Sequence, residues 1–201
     1  MCRRHTSLWL FKECSAELVP FLCHLFNTYL SSGVVPAAFK SAYVCTLLKK
    51  PDLDSTDVSN LTVTSKLLEK LVARQLLRYR SVNKLLPDRQ SAYRAFRSTE
   101  TAIAGLLSDI LSALDTGDMA ALAMLDLSAA FDTVDHTILL QRLQTSFGLN
   151  GTVLSWFCSY LDQRRQHMCH RGKQSATSDV QFGVPQGSVL GRAPFRTVHG
   201  C

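Results

Sequence analysis

The segment MLDLSAAFDTVDH, residues 124–136, constrains the fold of this chain more than any other. The apolar run ALAMLDL (121–127) reads as a short strand in a buried, central position. It delivers Asp126 at its carboxyl end, where open α/β sheets place their ligands. The residues that follow, DHTILLQRLQTSF (135–147), set Leu139, Leu140, Leu143 and Phe147 on one helical face, with Asp135 as N-cap. A strand, a turn and a helix in so short a space commit the chain to a mixed, layered architecture, α/β or α+β.

Asp126, Asp132 and Asp135 put three carboxylates in this stretch and raise the question of a metal site. Two ions bridged by shared carboxylates lie roughly 3.5–4 Å apart. Asp126 sits across a strand-to-helix turn from the other two. Asp135 fits the helix cap and Asp132 the turn, so Asp126 needs other partners.

The chain has 201 residues, of which 46% are hydrophobic, so a packed core is expected over roughly one domain or a little more. The net charge of +6 permits a polyanionic partner without requiring one. RQLLRYR (74–80) and DQRRQHMCHRGK (162–173) carry much of the excess, as a solvated face or as phosphate contacts. Seven cysteines form no CxxC pair, and Cys14, Cys23 and Cys158 fall in apolar helical patterns that predict buried thiols. HMCH (167–170) has the wrong spacing for zinc. The first residues lack a secretory apolar run, and no stretch reaches the ~18 apolar residues of a membrane span. An intracellular protein with reduced thiols, nuclear or cytoplasmic, is the expectation.

Along the chain, residues 8–32 read as helix, kinked or split by Pro20 and ended by Gly33. SAYVCTLLKKPD (41–52) is a strand candidate. Residues 65–86 form a long amphipathic helix with Leu67, Leu68, Leu71, Val72 and Leu76 on its buried side. LPDRQSAYRAFRST (86–99) is a loop or short hairpin. Ser98 caps a helix bearing the stripe Ile103, Leu106, Leu107, Ile110, Leu111 and Leu114. Val153, Leu154, Phe157 and Leu161 mark another helix, and the residues after it have hairpin character with Gly172 near the turn.

A second stretch, FGVPQGSVLG (182–191), also carries chemistry. Its glycines let another backbone or a nucleotide approach, and Gly187-Ser188 reads as a helix start. Together, LDLSAAFDTVDHTILL and GVPQGSVLG resemble the reverse transcriptases of non-long-terminal-repeat retrotransposons, in particular jockey-like and chicken-repeat-like elements. HLFNTYLSSGVVPAAFKSAYVCTLLKK, SKLLEKLVARQLL, LLPDRQSAYRAFRSTETAI and SWFCSYLDQRRQ look like that family in its usual order.

The resemblance implies the fingers and a partial palm of a right-hand polymerase. Residues 1–40 would be an N-terminal helical segment, 41–120 a fingers-like part and 121–201 the partial palm. The implied activity is RNA-directed DNA synthesis by two-metal nucleotidyl transfer, with an RNA template, a DNA primer, deoxynucleotides and Mg²⁺, and no membrane. Asp126 matches the first metal-binding aspartate. Phe131 matches the bulky residue under the incoming sugar that excludes a 2′-OH, although its spacing alone reads as core packing. Gln186 and Gly187 match the loop near the templating base pair. Lys49, Lys50, Arg94 and Arg97 fall where basic groups hold the triphosphate.

The chain also departs from the family. STDVSNLTVTSKLLEK lacks the usual fingers arginine, no Asp-Asp pair occurs, and no acid follows Asp179. The expectation is a truncated, catalytically incomplete domain. The alternatives are a residual nucleic-acid-binding module and a non-functional translated relic. A haloacid-type hydrolase built on Asp126 wants a second acid two residues on, and that position is Ser128.

Overall fold

The computed structural model describes residues 11, 13–48, 55–85, 87, 90–91, 96–125, 132–170, 173–184 and 187–191. Helices pack beside a small mixed sheet, as the sequence predicts. Helix α1 (Ser15–Ser32) leads through a short 3₁₀ turn (Ala37–Phe39) into strand β1 (Ser41–Leu48). Strand β2 (Ser55–Asn60) and helix α2 (Val63–Val82) follow, then α3 (Thr99–Asp115), α4 (His136–Thr145) and α5 (Gly151–Leu161). Strands β3 (Arg165–His170), β4 (Lys173–Gln174) and β5 (Ser178–Asp179) complete the described elements.

The strand β1 pairs antiparallel with β2 and parallel with β3. On its other side β3 meets β4 at one end and β5 at the other, both antiparallel. The β3–β4 pairing brackets residues 171–172, which supports the expected hairpin; Gly172 itself lies outside the described residues. Tyr43 and His167, partners in the β1–β3 register, stack their rings 5.6 Å apart.

Helix α1 is one continuous run through Pro20, so of the expected kink or split the split does not occur. The lost N–H removes a single hydrogen bond, and the helix continues on the strength of its packing. Gly33 ends it in the left-handed region (φ 68°), and a Cβ there would sit 3.1 Å from the Thr152 carbonyl of α5. Only glycine satisfies both conditions. Val35 N–H then donates to Ser159 Oγ at 2.9 Å, tying the exit of α1 to α5.

The core gathers Phe26 of α1, Leu68, Val72 and Leu76 of α2, Leu139 and Leu143 of α4, and Trp156, Phe157 and Tyr160 of α5. Val184 and Leu190 join it from the C-terminal loop. Leu67 and Leu71 are exposed, so the buried face of α2 is rotated from the expected one. That face carries Ser65, Glu69 and Arg80 among its apolar residues, and counting leucines alone misses it. The α3 cap is as expected, with a full capping box between Ser98 and Thr101. Its apolar stripe, however, stands open: Ile103, Leu106, Leu107, Leu111 and Leu114 are all exposed.

Two further expectations are corrected. Residues 121–125 form no strand and are exposed, Leu125 at 94%. Their Ala, Leu and Met content gives little strand preference, and the described sheet offers them no ladder partner. Cys23 and Cys158 are exposed and Cys14 is half-buried. In α5 the buried side is taken by Trp156, Phe157 and Tyr160, which leaves Cys158 outward.

Candidate functional site

The two motifs singled out in the sequence meet in space. Asp135 and Phe182 form an isolated antiparallel bridge. Gly183 N–H donates to the Val134 carbonyl at 2.8 Å, and His136 Nε2 lies 2.8 Å from the Gly183 carbonyl. Asp135 caps α4 as expected, its Oδ1 accepting from Thr137 N–H at 2.8 Å and Ile138 N–H at 3.1 Å. The cap fixes the end of the first motif, and the bridge fixes the start of the second against it.

Beside this junction is a cleft of about 270 Å³ lined by Asp132, Gly183, Val184, Lys40, Arg164 and Arg165, among others. Burial holds the Lys40 amine below its usual range, partly offset by Asp162 and reinforced by Arg164. Arg165 pairs at the surface with Asp179 at 3.5 Å.

The loop after the junction is held tightly. Gly183 (φ 83°) and Gly187 (φ 77°) turn it through the left-handed region. Gly191 packs so closely that a Cβ would come within 2.6 Å of Val184 Cγ1. Gly187-Ser188 opens a turn over 187–191; the residues into which the expected helix would run lie outside the described residues. The Ser188 hydroxyl is buried, 2.7 Å from Tyr160 Oη, and accepts from Gly191 N–H at 3.0 Å, the i+3 bond by which a serine caps a helix start.

Tyr160 donates in turn to Glu69 Oε1 at 3.1 Å, and Val189 N–H donates to Glu69 Oε2 at 2.7 Å. Arg164 lies over the Tyr160 ring, 4.2 Å from its centroid, with Nη2 3.9 Å from Glu69 Oε1. Burial and the Glu69 charge push the Tyr160 phenol well above its ordinary range. Glu69, Tyr160, Arg164 and Ser188 were not among the expected site residues. One signal existed: Glu69 shares a helical face with Val72, Ala73, Leu76 and Arg80, all buried.

Of the expected site residues, Gly187 lies in the turn just described and Arg97 is exposed before α3. Asp126, Phe131, Gln186, Arg94, Lys49 and Lys50 lie outside the described residues. Arg164 and Arg80, read from sequence as parts of solvated or phosphate-contacting clusters, are each 2% exposed. Arg164 is instead the buried counter-charge of Glu69. Among the described residues no three His, Cys, Asp or Glu side chains gather as a metal cage, and Asp135 is committed to its cap. The described residues alone hold no Mg²⁺ pair, and the expected ligand Asp126 lies outside them.

Residues 48–198 match the family described as reverse transcriptase (RNA-dependent DNA polymerase). That stretch is most of the chain, and the chain belongs to the reverse transcriptase family. It is 32% identical over 181 residues to the RNA-directed DNA polymerase from the mobile element jockey of Drosophila melanogaster, covering 87% of this chain and 19% of that protein. It is 30% identical over 185 residues to the probable RNA-directed DNA polymerase from transposon BS of the same species, covering 90% and 20%. A third relative, the probable RNA-directed DNA polymerase from transposon X-element, is 26% identical over 185 residues, with 90% and 20% covered. Within the family this is a domain of the jockey-like, non-long-terminal-repeat type. The chain spans about a fifth of the length of these relatives.

Proposed function

We propose that the chain contributes the fingers (41–120) and the first part of the palm (121–201) of a right-hand polymerase that copies RNA into DNA, with residues 1–40 as a helical support. The observation that carries this reading is the junction of the two motifs. Hydrogen bonds join residues 134–136 to residues 182–183, bringing the segment after Asp126 against the loop that bears Gln186 and Gly187. In this reading Asp126 is a Mg²⁺ ligand, Phe131 excludes a 2′-OH, and Gln186 and Gly187 lie by the templating pair. Lys49, Lys50, Arg94 and Arg97 hold the triphosphate. The partners are an RNA template, a DNA primer and deoxynucleotides.

These 201 residues hold no Asp-Asp pair, so on their own they bind primed template without extending it. Fluorescence anisotropy with a primed RNA template tests the binding. Affinity should fall steeply as salt rises, because neutralised phosphates release counterions. Arg97→Ala should lower the slope of log K against log salt by about one. No binding at low salt, or binding indifferent to salt, would overturn the reading.

A further inference from the structure

We infer that Glu69 is a positioning residue that holds the turn at residues 187–191, and with it Gly187, at a set distance from α2. The role given to the loop rests on the proposed function; the hold itself rests on geometry alone.

A carboxylate 1% exposed in the middle of a helix is an expensive choice. Buried charges are costly to desolvate, and apolar replacements are often as stable or more so. Leucine at this position would suit the face that α2 presents to the core. What glutamate adds is two acceptor oxygens with a definite reach, and both are used. Val189 N–H donates straight to Oε2 from a position 120 residues away in the chain. The second oxygen ends a relay. Gly191 N–H donates to Ser188 Oγ, the Ser188 hydroxyl can donate to Tyr160 Oη, and Tyr160 donates to Oε1. Every donor in this chain points toward the same carboxylate. Two backbone amides of one short loop, two residues apart, are thus referred to a single side chain on α2.

The loop side is built to match. Gly191 admits no side chain because Val184 fills the space a Cβ would need, and Leu190 is fully buried beside them. The loop is therefore packed tightly against itself, so a shortened acceptor is not met by repacking within it. Arg164 balances the charge at Oε1 while resting on the Tyr160 ring. Gly187 sits immediately before the held amides, so its placement against a template follows the reach of Glu69.

The test shortens that reach and keeps the charge. In Glu69→Asp, amide hydrogen exchange should rise on the order of tenfold or more at Val189 and Gly191, while the Leu139 and Leu143 amides of α4 stay at their wild-type rates. The same variant should lose about fivefold or more of its preference for a recessed primer end over a blunt duplex, with blunt-duplex affinity unchanged. A purely structural carboxylate would raise exchange at α4 and the loop alike and weaken both binding modes together. That result, or no change at Val189 and Gly191, would overturn the proposal. Should Glu69→Asp fail to fold, Ser188→Ala decides. It cuts the relay to Gly191 but spares Val189, so exchange should rise at Gly191 alone and the primer-end preference should drop; protection unchanged at Gly191 would overturn the hold. If the wild-type chain shows no preference for a recessed end, the loop's role falls with the proposed function, and the exchange rates still decide whether Glu69 holds the loop.

Discussion

Tyr160 shows how much one buried hydroxyl can carry. It stacks on Trp156 with ring centroids 5.4 Å apart, takes Arg164 on its face, and passes a hydrogen bond from Ser188 to Glu69. Burial beside a carboxylate favours its neutral form, so its folded pKa stands above the ordinary 10.0. The unfolded phenol ionises first as pH rises. Above about pH 10 the folded state holds a proton that the unfolded state has lost, so stability present at lower pH declines, by at most about 1.4 kcal/mol per pH unit. Lys40 acts in the opposite sense. Its folded pKa is lowered, so between that value and 10.5 the unfolded state binds the extra proton and stability rises with pH. Comparing wild type with Tyr160→Phe cancels the lysine. The stability difference between the two, from denaturant melts at about pH 9 and about pH 11, should shift against the wild type at the higher pH. A pH-independent difference would mean the phenol ionises freely when folded.

Among the elements, α4 is the one whose placement the site depends on most directly. Asp135 both caps it and bridges to Phe182, and His136 in its first turn meets the Gly183 carbonyl. Asp135→Ala should cost about 1 kcal/mol, within the usual range for losing a side-chain cap. Chemical denaturation reads the loss as a lower midpoint at constant slope. A change of only a few tenths would mean water replaces the cap without penalty. Helix α3 makes the contrast. Its capping box and apolar period were both legible, yet its apolar stripe finds no cover among the described residues. Local sequence specifies that a helix forms and which face is apolar, but whether that face is buried depends on what the rest of the chain brings to it.

For the whole molecule, the sharpest expectation concerns synthesis. Two Mg²⁺ ions bring four positive charges into a small volume, and closely placed carboxylates must offset them. The described residues assemble no such group, and Asp132 and Asp135 follow the turn into α4. The purified 201 residues should give no primer extension on an RNA template with four deoxynucleotides, in Mg²⁺ or in Mn²⁺. Extension that disappears in Asp126→Asn would show that another carboxylate of this chain completes the site. Equal extension by both would indicate a contaminating polymerase.

The mixed architecture, the cap at Asp135, the helices over α2 to α5 and the family were all legible along the chain. Each depends on periodicity, capping residues or motif order, which are local and survive in one dimension. The failures are of another kind. An exposed run at 121–125, an unbroken α1, outward cysteines and an arginine pair drawn inside all depend on partners distant in sequence. Glu69 is the clearest case. In the string its one mark is a place on the same helical face as Val72, Ala73 and Leu76, and nothing there names its partners. Tertiary packing alone brings Tyr160, Arg164 and the Val189 amide to it, and the cost of burying this carboxylate is offset by the hydrogen bonds and counter-charge so gathered.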